Sequence, residues 1–173
     1  MATLIKNRRI ALDTWQLLVL GVDRALPAVP AAGNVIVPLA SWSALRGSLP
    51  ARPDRIGVWL NIDEDPESIA GDLERLALVA VHFHKVADGR GYSTARLLRE
   101  RWGFRGELRA IGEVLRDQLL QMEQCGFDAF ALRADQDPKD ALLAFDDFSE
   151  SYQTSVTQPV PLFRRRTMTG APS

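Results

Sequence analysis

A chain of 173 residues with 46% hydrophobic and 25% charged side chains has the make-up of one ordinary globular domain, which argues against disorder of the whole. Its 21 basic and 22 acidic residues leave a formal net charge of -1, so no general field draws in nucleic acid or an anionic membrane, and any anion site is local. One cysteine, Cys125, excludes an intrachain disulfide, a thiolate metal cage and an iron–sulfur cluster ligated by a single subunit.

Met1 to Arg9 is basic but lacks the apolar stretch of a signal peptide, and no segment approaches the roughly 20 apolar residues of a membrane span. A cytoplasmic location is therefore expected. From Ile10 to Leu20, strand formers lead to Gly21, which reads as an antiparallel hairpin or a lead-in strand. Residues 21–34, with Pro27, Pro30 and Gly33, form a loop by composition. Asn34 to Leu39 reads as a short buried strand, Ser41 as the cap of a brief helix through Leu45, and residues 47–55 as another Pro-rich connection.

The clearest pattern begins at Ile56. The apolar run to Ile62 is a strand, and Asp65 with Pro66 suits the cap and first position of a helix whose stripe is Ile69, Leu73 and Leu76. Leu78 to Phe83 is the next strand; it leads through Asp88, Gly89, Arg90 and Gly91 into a helix with Ala95, Leu98 and Trp102 on its inner face. That helix closes with Gly103 and Phe104, and the following one with Gly126 and Phe127, because glycine accepts a left-handed backbone while the aromatic packs back on the last turn. Between these two caps lie a strand at Glu107 to Ile111 and a helix from Glu113 to Cys125, with Leu115, Leu119 and Met122 apolar. A last strand, Phe127 to Leu132, precedes a second cap, Asp137 with Pro138, and a helix carrying Ala141, Leu142, Phe145 and Phe148.

Strands recurring every 20 to 30 residues with helices between them imply an α/β fold with right-handed crossovers and a mainly parallel sheet. Four such units are visible, with a fifth earlier. A closed eight-fold barrel takes about 250 residues, so a partial barrel or an open twisted sheet is expected, with a homodimer covering what one chain leaves exposed. Residues 1–152 read as a single domain. Residues 153–173, rich in Ser, Thr, Gln and Pro and then Arg164, Arg165 and Arg166, read as an extended or disordered tail.

Ligands of parallel α/β sheets collect at the carboxyl ends of strands. Asn61, Asp63, Asp88, Arg90, Arg109, Glu113, Arg133 and Asp135 all fall at or near that edge. Arg90, Arg109 and Arg133 either hold a compact oxyanion or phosphate by charge-assisted bonds, or pair with the neighbouring carboxylates and tie the loops together. Gly89 and Gly91 permit a tight turn or close approach to a ligand, although the spacing is neither a dinucleotide nor a Walker fingerprint. Tyr92 is a candidate proton donor and Ser93 a helix cap. His82 and His84 alternate on a strand and point to one side, yet no third ligand accompanies them, so no metal is assigned. Cys125, on a last helical turn, is remote from the dipole end that activates a thiolate.

Asp88-Gly-Arg-Gly-Tyr-Ser93, Ala95-Arg-Leu-Leu-Arg-Glu-Arg101, Gly106-Glu-Leu-Arg-Ala110, Asp117-Gln118-Leu119 and Cys125-Gly-Phe127 closely resemble a bacterial family of unknown function. Its members are described as oxidoreductases of sulfite reduction because they are encoded beside sulfite reductase and other sulfur-assimilation enzymes. An oxidoreductase must hold an electron or hydride carrier, and no loop or ligand set for one is identifiable, so any redox cofactor is expected on a partner. The resemblance thus implies an accessory or adaptor protein of assimilatory sulfite reduction, partnered by sulfite reductase or another sulfur-assimilation enzyme. Its arginine-lined face, with Arg90, Gly91, Tyr92, Arg109 and Arg133, then binds a small anion or docks on that enzyme. Two alternatives stand beside it: a small enzyme acting on an anionic or phosphorylated metabolite with Asp88 or Glu113 as acid/base, and a non-catalytic structural homodimer.

Overall fold

The computed structural model describes residues 2–30, 32–47, 56–85 and 88–146. The chain opens with a hairpin of β1 (Thr3–Lys6) and β2 (Arg9–Leu12), followed by β3 (Trp15–Leu17) and, after a connection, β4 (Asn34–Pro38) and helix α1 (Leu39–Leu45). Next come β5 (Ile56–Asn61), a 3₁₀ segment (Pro66–Arg75), β6 (Leu78–Phe83), and α2 (Arg90–Arg96), which runs on as a π-helical turn over Leu97–Arg101. β7 (Glu107–Gly112), a short 3₁₀ turn into α3 (Leu119–Gln124), β8 (Ala129–Phe130) and α4 (Pro138–Leu143) complete the described chain.

The result is a mostly parallel, curled sheet of eight strands, a half-barrel with helices. Strand order is β2-β1-β8-β7-β6-β5-β4-β3. From β3 to β8 neighbours are consecutive in sequence and parallel. Right-handed crossovers that always step the same way place every helix on one face. The outermost strands, β2 and β3, are separated in sequence only by Asp13 and Thr14. Three peptide steps reach at most about 11 Å, so the sheet curls until its two ends approach each other.

Alternation along the strands divides the core accordingly. Val58 and Leu60 of β5, Val79, Val81 and Phe83 of β6, and Leu108 and Ala110 of β7 face the helices and meet Ile69, Leu98, Leu119, Met122 and Phe145. The opposite residues, Ile36, Trp59, Leu78, Ala80 and Ile111, form a second cluster on the inner face, with Trp15 and Ala131 packed against it. Each fully buried Val, Leu, Ile, Phe or Met among them stabilises by about 1.5–3 kcal/mol, so both layers contribute to the fold.

Local sequence explains most of the boundaries. Asp65 accepts from the Glu67 amide at 2.9 Å and Asp137 from the Lys139 amide at 3.0 Å, so both Asp-Pro pairs cap as expected. Gly103 (φ 63°) and Gly126 (φ 113°) are left-handed, and Phe104 N–H reaches back to the Leu98 carbonyl at 2.9 Å. Other expectations need correction. The hairpin begins at Thr3, not Ile10, around the positive-φ pair Asn7 and Arg8. Ser41 does not cap α1, because Pro38 occupies that place; Ser41 is buried within the helix. Ser93 likewise lies inside α2, which starts at Arg90. The stripe Ile69, Leu73 and Leu76 is buried as anticipated, but on a 3₁₀ segment, with Gly71 lowering α propensity in its middle. Phe148 and the expected tail lie outside the described residues.

Candidate functional site

The carboxyl ends of β5 to β8 form one rim. At β5 the chain turns sharply: Glu64 accepts the Asn61 amide on its carboxylate at 2.7 Å, and Glu64 N–H bonds back to the Asn61 carbonyl at 3.1 Å. Asn61 is level with His82 in the neighbouring strand. Its Oδ1 lies 2.7 Å from His84 Nε2, and the two imidazoles meet edge to face with centroids 4.3 Å apart. His82 also stands edge-on to Trp59, and its buried Nδ1 has no hydrogen-bond partner. Burial, and next His84, hold the His82 imidazole below its ordinary range. Gly112 makes room for that ring: at φ 90°, a Cβ would lie 2.4 Å from the Phe83 carbonyl oxygen and 2.9 Å from His82 Cδ2.

Two acid–arginine groups sit on the same rim. Asp88 receives a two-pronged bond from Arg90, with Nε at 3.0 Å and an Nη at 2.8 Å, and also takes the Arg90 amide at 3.1 Å. Its carboxyl is lowered to about 2 by the Arg90 side chain first and the Arg90 amide second. Arg133 bonds Asp135 at 2.6 and 2.7 Å and Glu113 at 2.9 Å. Both carboxylates raise the Arg133 pKa, and Asp135 in turn is lowered to about 2, chiefly by Arg133. Each of these guanidiniums is therefore already matched by carboxylate before any ligand arrives. An Asp88 carboxyl near 2 is also poorly tuned as an acid/base, which works best close to ambient pH.

Arg109 is elsewhere. It points from the middle of β7 to the inner face, level with Ala80, with its side chain 3% exposed. There it bonds Glu107 at 2.7 Å and both oxygens of Asp13 at 3.0 Å, while Lys6 holds the other oxygen of Glu107 at 2.6 Å. Gly91 faces the sheet, where a Cβ would stand 2.5 Å from the Phe83 ring, so its role is close helix–strand packing. Tyr92 packs edge-on against Phe83 in the helix layer, and burial, then Cys125 and Asp117, raise its hydroxyl pKa. The structure thus gathers Asp88, Arg90, Glu113 and Arg133 on the rim, and leaves Arg109, Gly91 and Tyr92 off it. Among the described residues no three His, Cys, Asp or Glu side chains are placed to hold a metal ion.

Sequence reasoning placed Asn61 on this edge but not its bond to His84. The sequence also assigns no function to the segment after β3, whose first residues, through Leu20, read as strand and the rest, residues 21–34, as a loop. There Val19, Val22 and Leu26 are exposed, Val22 at 88%, next to Leu17 at the end of β3 and around a tip in which Asp23 (φ 60°) and Arg24 (φ 59°) are both left-handed. The Gly21 amide bonding the Ala25 carbonyl at 2.9 Å closes that tip.

The model of a family described as bacterial protein of unknown function (DUF934) matches residues 57–163, more than half the chain. The chain belongs to that family. No curated protein and no solved structure matches it. The DUF934 match takes in β5 to α4, and with them Asn61, the histidine pair and both acid–arginine groups of the rim. Among the described residues, no helix of this family member is long and apolar enough to cross a membrane.

Proposed function

We propose that this protein is an accessory protein of assimilatory sulfite reduction that docks on sulfite reductase through its strand-end rim. The observation that carries docking is the segment following β3, where three large apolar side chains, Val19, Val22 and Leu26, stand in solvent about a backbone tip with two consecutive left-handed non-glycine residues. Left-handed backbone at such residues is unfavourable and persists where the surroundings impose it, commonly at functional sites. Exposed apolar residues with a polar surround are the usual composition of a protein-binding face. Arg90 with Asp88, and Arg133 with Asp135 and Glu113, supply charged groups on the same rim. Their mutual neutralisation suits register-setting at a protein interface better than capture of a free anion.

Support for sulfite reductase as the partner comes from the resemblance carried by Asp88 to Ser93 and Gly106 to Ala110, whose family is encoded beside that enzyme. On this reading the partner holds the redox cofactor. The test is deletion of the gene in a host given sulfate as its only sulfur source, followed by complementation. The wild-type chain restores growth, whereas a V22D/L26D variant of unchanged thermal stability does not. Normal growth of the deletion strain without a second copy removes the sulfur assignment; full rescue by the variant removes the docking face.

A further inference from the structure

At the end of the sheet opposite the rim, a cavity of about 380 Å3 opens beside the first residues of β6 and β7. One wall is Leu73, Glu74 and Leu76 from the end of the 3₁₀ segment, and the other is the loop from Trp102 to Gly106. Its volume is at the small end of the range for sites that enclose an organic molecule.

The loop wall is rigidly built. Arg99, its side chain 14% exposed, donates to the Phe104 carbonyl at 2.7 Å and the Gly106 carbonyl at 2.9 Å, and it is anchored by Gly126 O at 3.0 Å and Asp128 at 2.8 Å. Gly106 admits no side chain, since a Cβ would sit 2.5 Å from the Phe104 ring and 2.7 Å from the Ala77 carbonyl oxygen. The loop leaves α2 through a π-helical turn, a departure from α geometry that recurs at functional sites. Pre-set walls of this kind lower the ordering cost of binding.

The cavity lining mixes apolar and charged groups. Leu73, Leu76 and Phe104 are buried and Trp102 half-buried, so apolar and aromatic groups share the cavity lining with polar ones. Glu74 on one wall and Arg105 on the other are exposed, and neither is ion-paired among the described residues. This contrasts with Arg90, Arg109 and Arg133, each of which is matched by carboxylate.

We propose that this cavity is a binding site for a small zwitterion with an apolar or aromatic body, of the amino-acid type. Its ammonium pairs with Glu74, its carboxylate with the guanidinium of Arg105, and its body lies against Trp102 and Phe104. Opposite charges on the two walls, with the half-buried Trp102 ring in the same lining, select for a molecule that carries both charges.

The full ¹⁵N-labelled chain is titrated with L-phenylalanine, and in parallel with benzoate and phenethylamine, each of which lacks one of the two charges. The Trp102 indole N–H resonance, assigned by its loss in W102F, reports occupancy. Saturable movement with phenylalanine is expected, at least about tenfold tighter than with either single-charge probe, and weakened about tenfold in both E74Q and R105Q. Both side chains are exposed and unpaired, so these variants keep the wild-type spectrum elsewhere. Absence of a saturable shift overturns the proposal, as do equal affinities for the three probes or affinity unchanged in both variants. The docking face lies at the other end of the sheet and is not at stake in this experiment.

Discussion

Arg109 shows how a charge can be structural in a position that invites a functional reading. Its guanidinium is sealed on the inner face between Glu107 and Asp13, and Asp13 belongs to the two-residue link that joins the ends of the curled sheet. Removing one member of a buried pair leaves the other charge uncompensated, which costs about 3–5 kcal/mol. Arg109→Met is therefore expected to lower the unfolding free energy by about that amount, whereas Arg90→Met, at a fully exposed pair, leaves it nearly unchanged. Urea titration of both variants checks the contrast; equal losses would show that Arg109 is not the stitch proposed here. Such a role was not legible in the sequence. Period-2 alternation puts Glu107, Arg109 and Ile111 on one face, but says nothing about that face being covered by Asp13 from the far edge of the sheet.

His82 gives a residue-scale pH dependence. Its imidazole is held below the ordinary histidine value of about 6.5 by burial and then by His84, so the folded chain binds fewer protons than the unfolded chain as pH falls through that value. The neutral-ring contribution is complete above that value and declines below it, toward the folded-state pKa. Between pH about 7.5 and 5.5 the wild-type urea midpoint should fall more steeply than that of His82→Asn. Parallel slopes would mean that the folded state does not hold the His82 imidazole below its ordinary range.

At the level of elements, the two Asp-Pro starts and the two Gly-Phe ends follow from backbone chemistry that a sequence displays directly. Proline at the first helical position lacks only an amide that would go unpaired, and Asp65 and Asp137 take the next free one. Each of Asp65→Ala and Asp137→Ala should cost about 1 kcal/mol, and the double variant about the sum if the caps act independently. Thermal and urea unfolding of the three variants measures it, and a single cap whose loss costs nothing would show its helix to be held by packing alone. The strand Leu78–Phe83 was equally legible, an apolar run bounded by polar turns. β1 was not. Thr3–Lys6 is short, carries a lysine at its end and lies in a basic stretch, so its apolar signal is only Leu4 and Ile5. The positive-φ turn at Asn7 and Arg8 was the available clue, because asparagine tolerates that backbone. The 3₁₀ character of Pro66–Arg75 was hidden as well, since an apolar stripe at spacings of four and three fits either helix.

On the scale of the molecule, the eight strands form a half-barrel, and recurring strand and helix units make a parallel sheet readable. What they cannot convey is the curl, which follows from β2 and β3 being outermost in space and adjacent in sequence. That curl separates the arginines that looked alike in the sequence: Arg109 is on the inside, while Arg90 and Arg133 are on the rim. β3 runs parallel to β4, so the segment that follows it leaves from the strand-end side, carrying exposed Val19, Val22 and Leu26. The central claim, that this surface docks on sulfite reductase, is tested most directly by sedimentation velocity of the two purified proteins together. At roughly 10 μM each, where a micromolar complex is largely formed, the account expects one faster boundary containing both chains, lost with V22D/L26D and shifted in salt dependence with Arg90→Glu. Independent sedimentation of the wild-type proteins, each at its own rate, would contradict it.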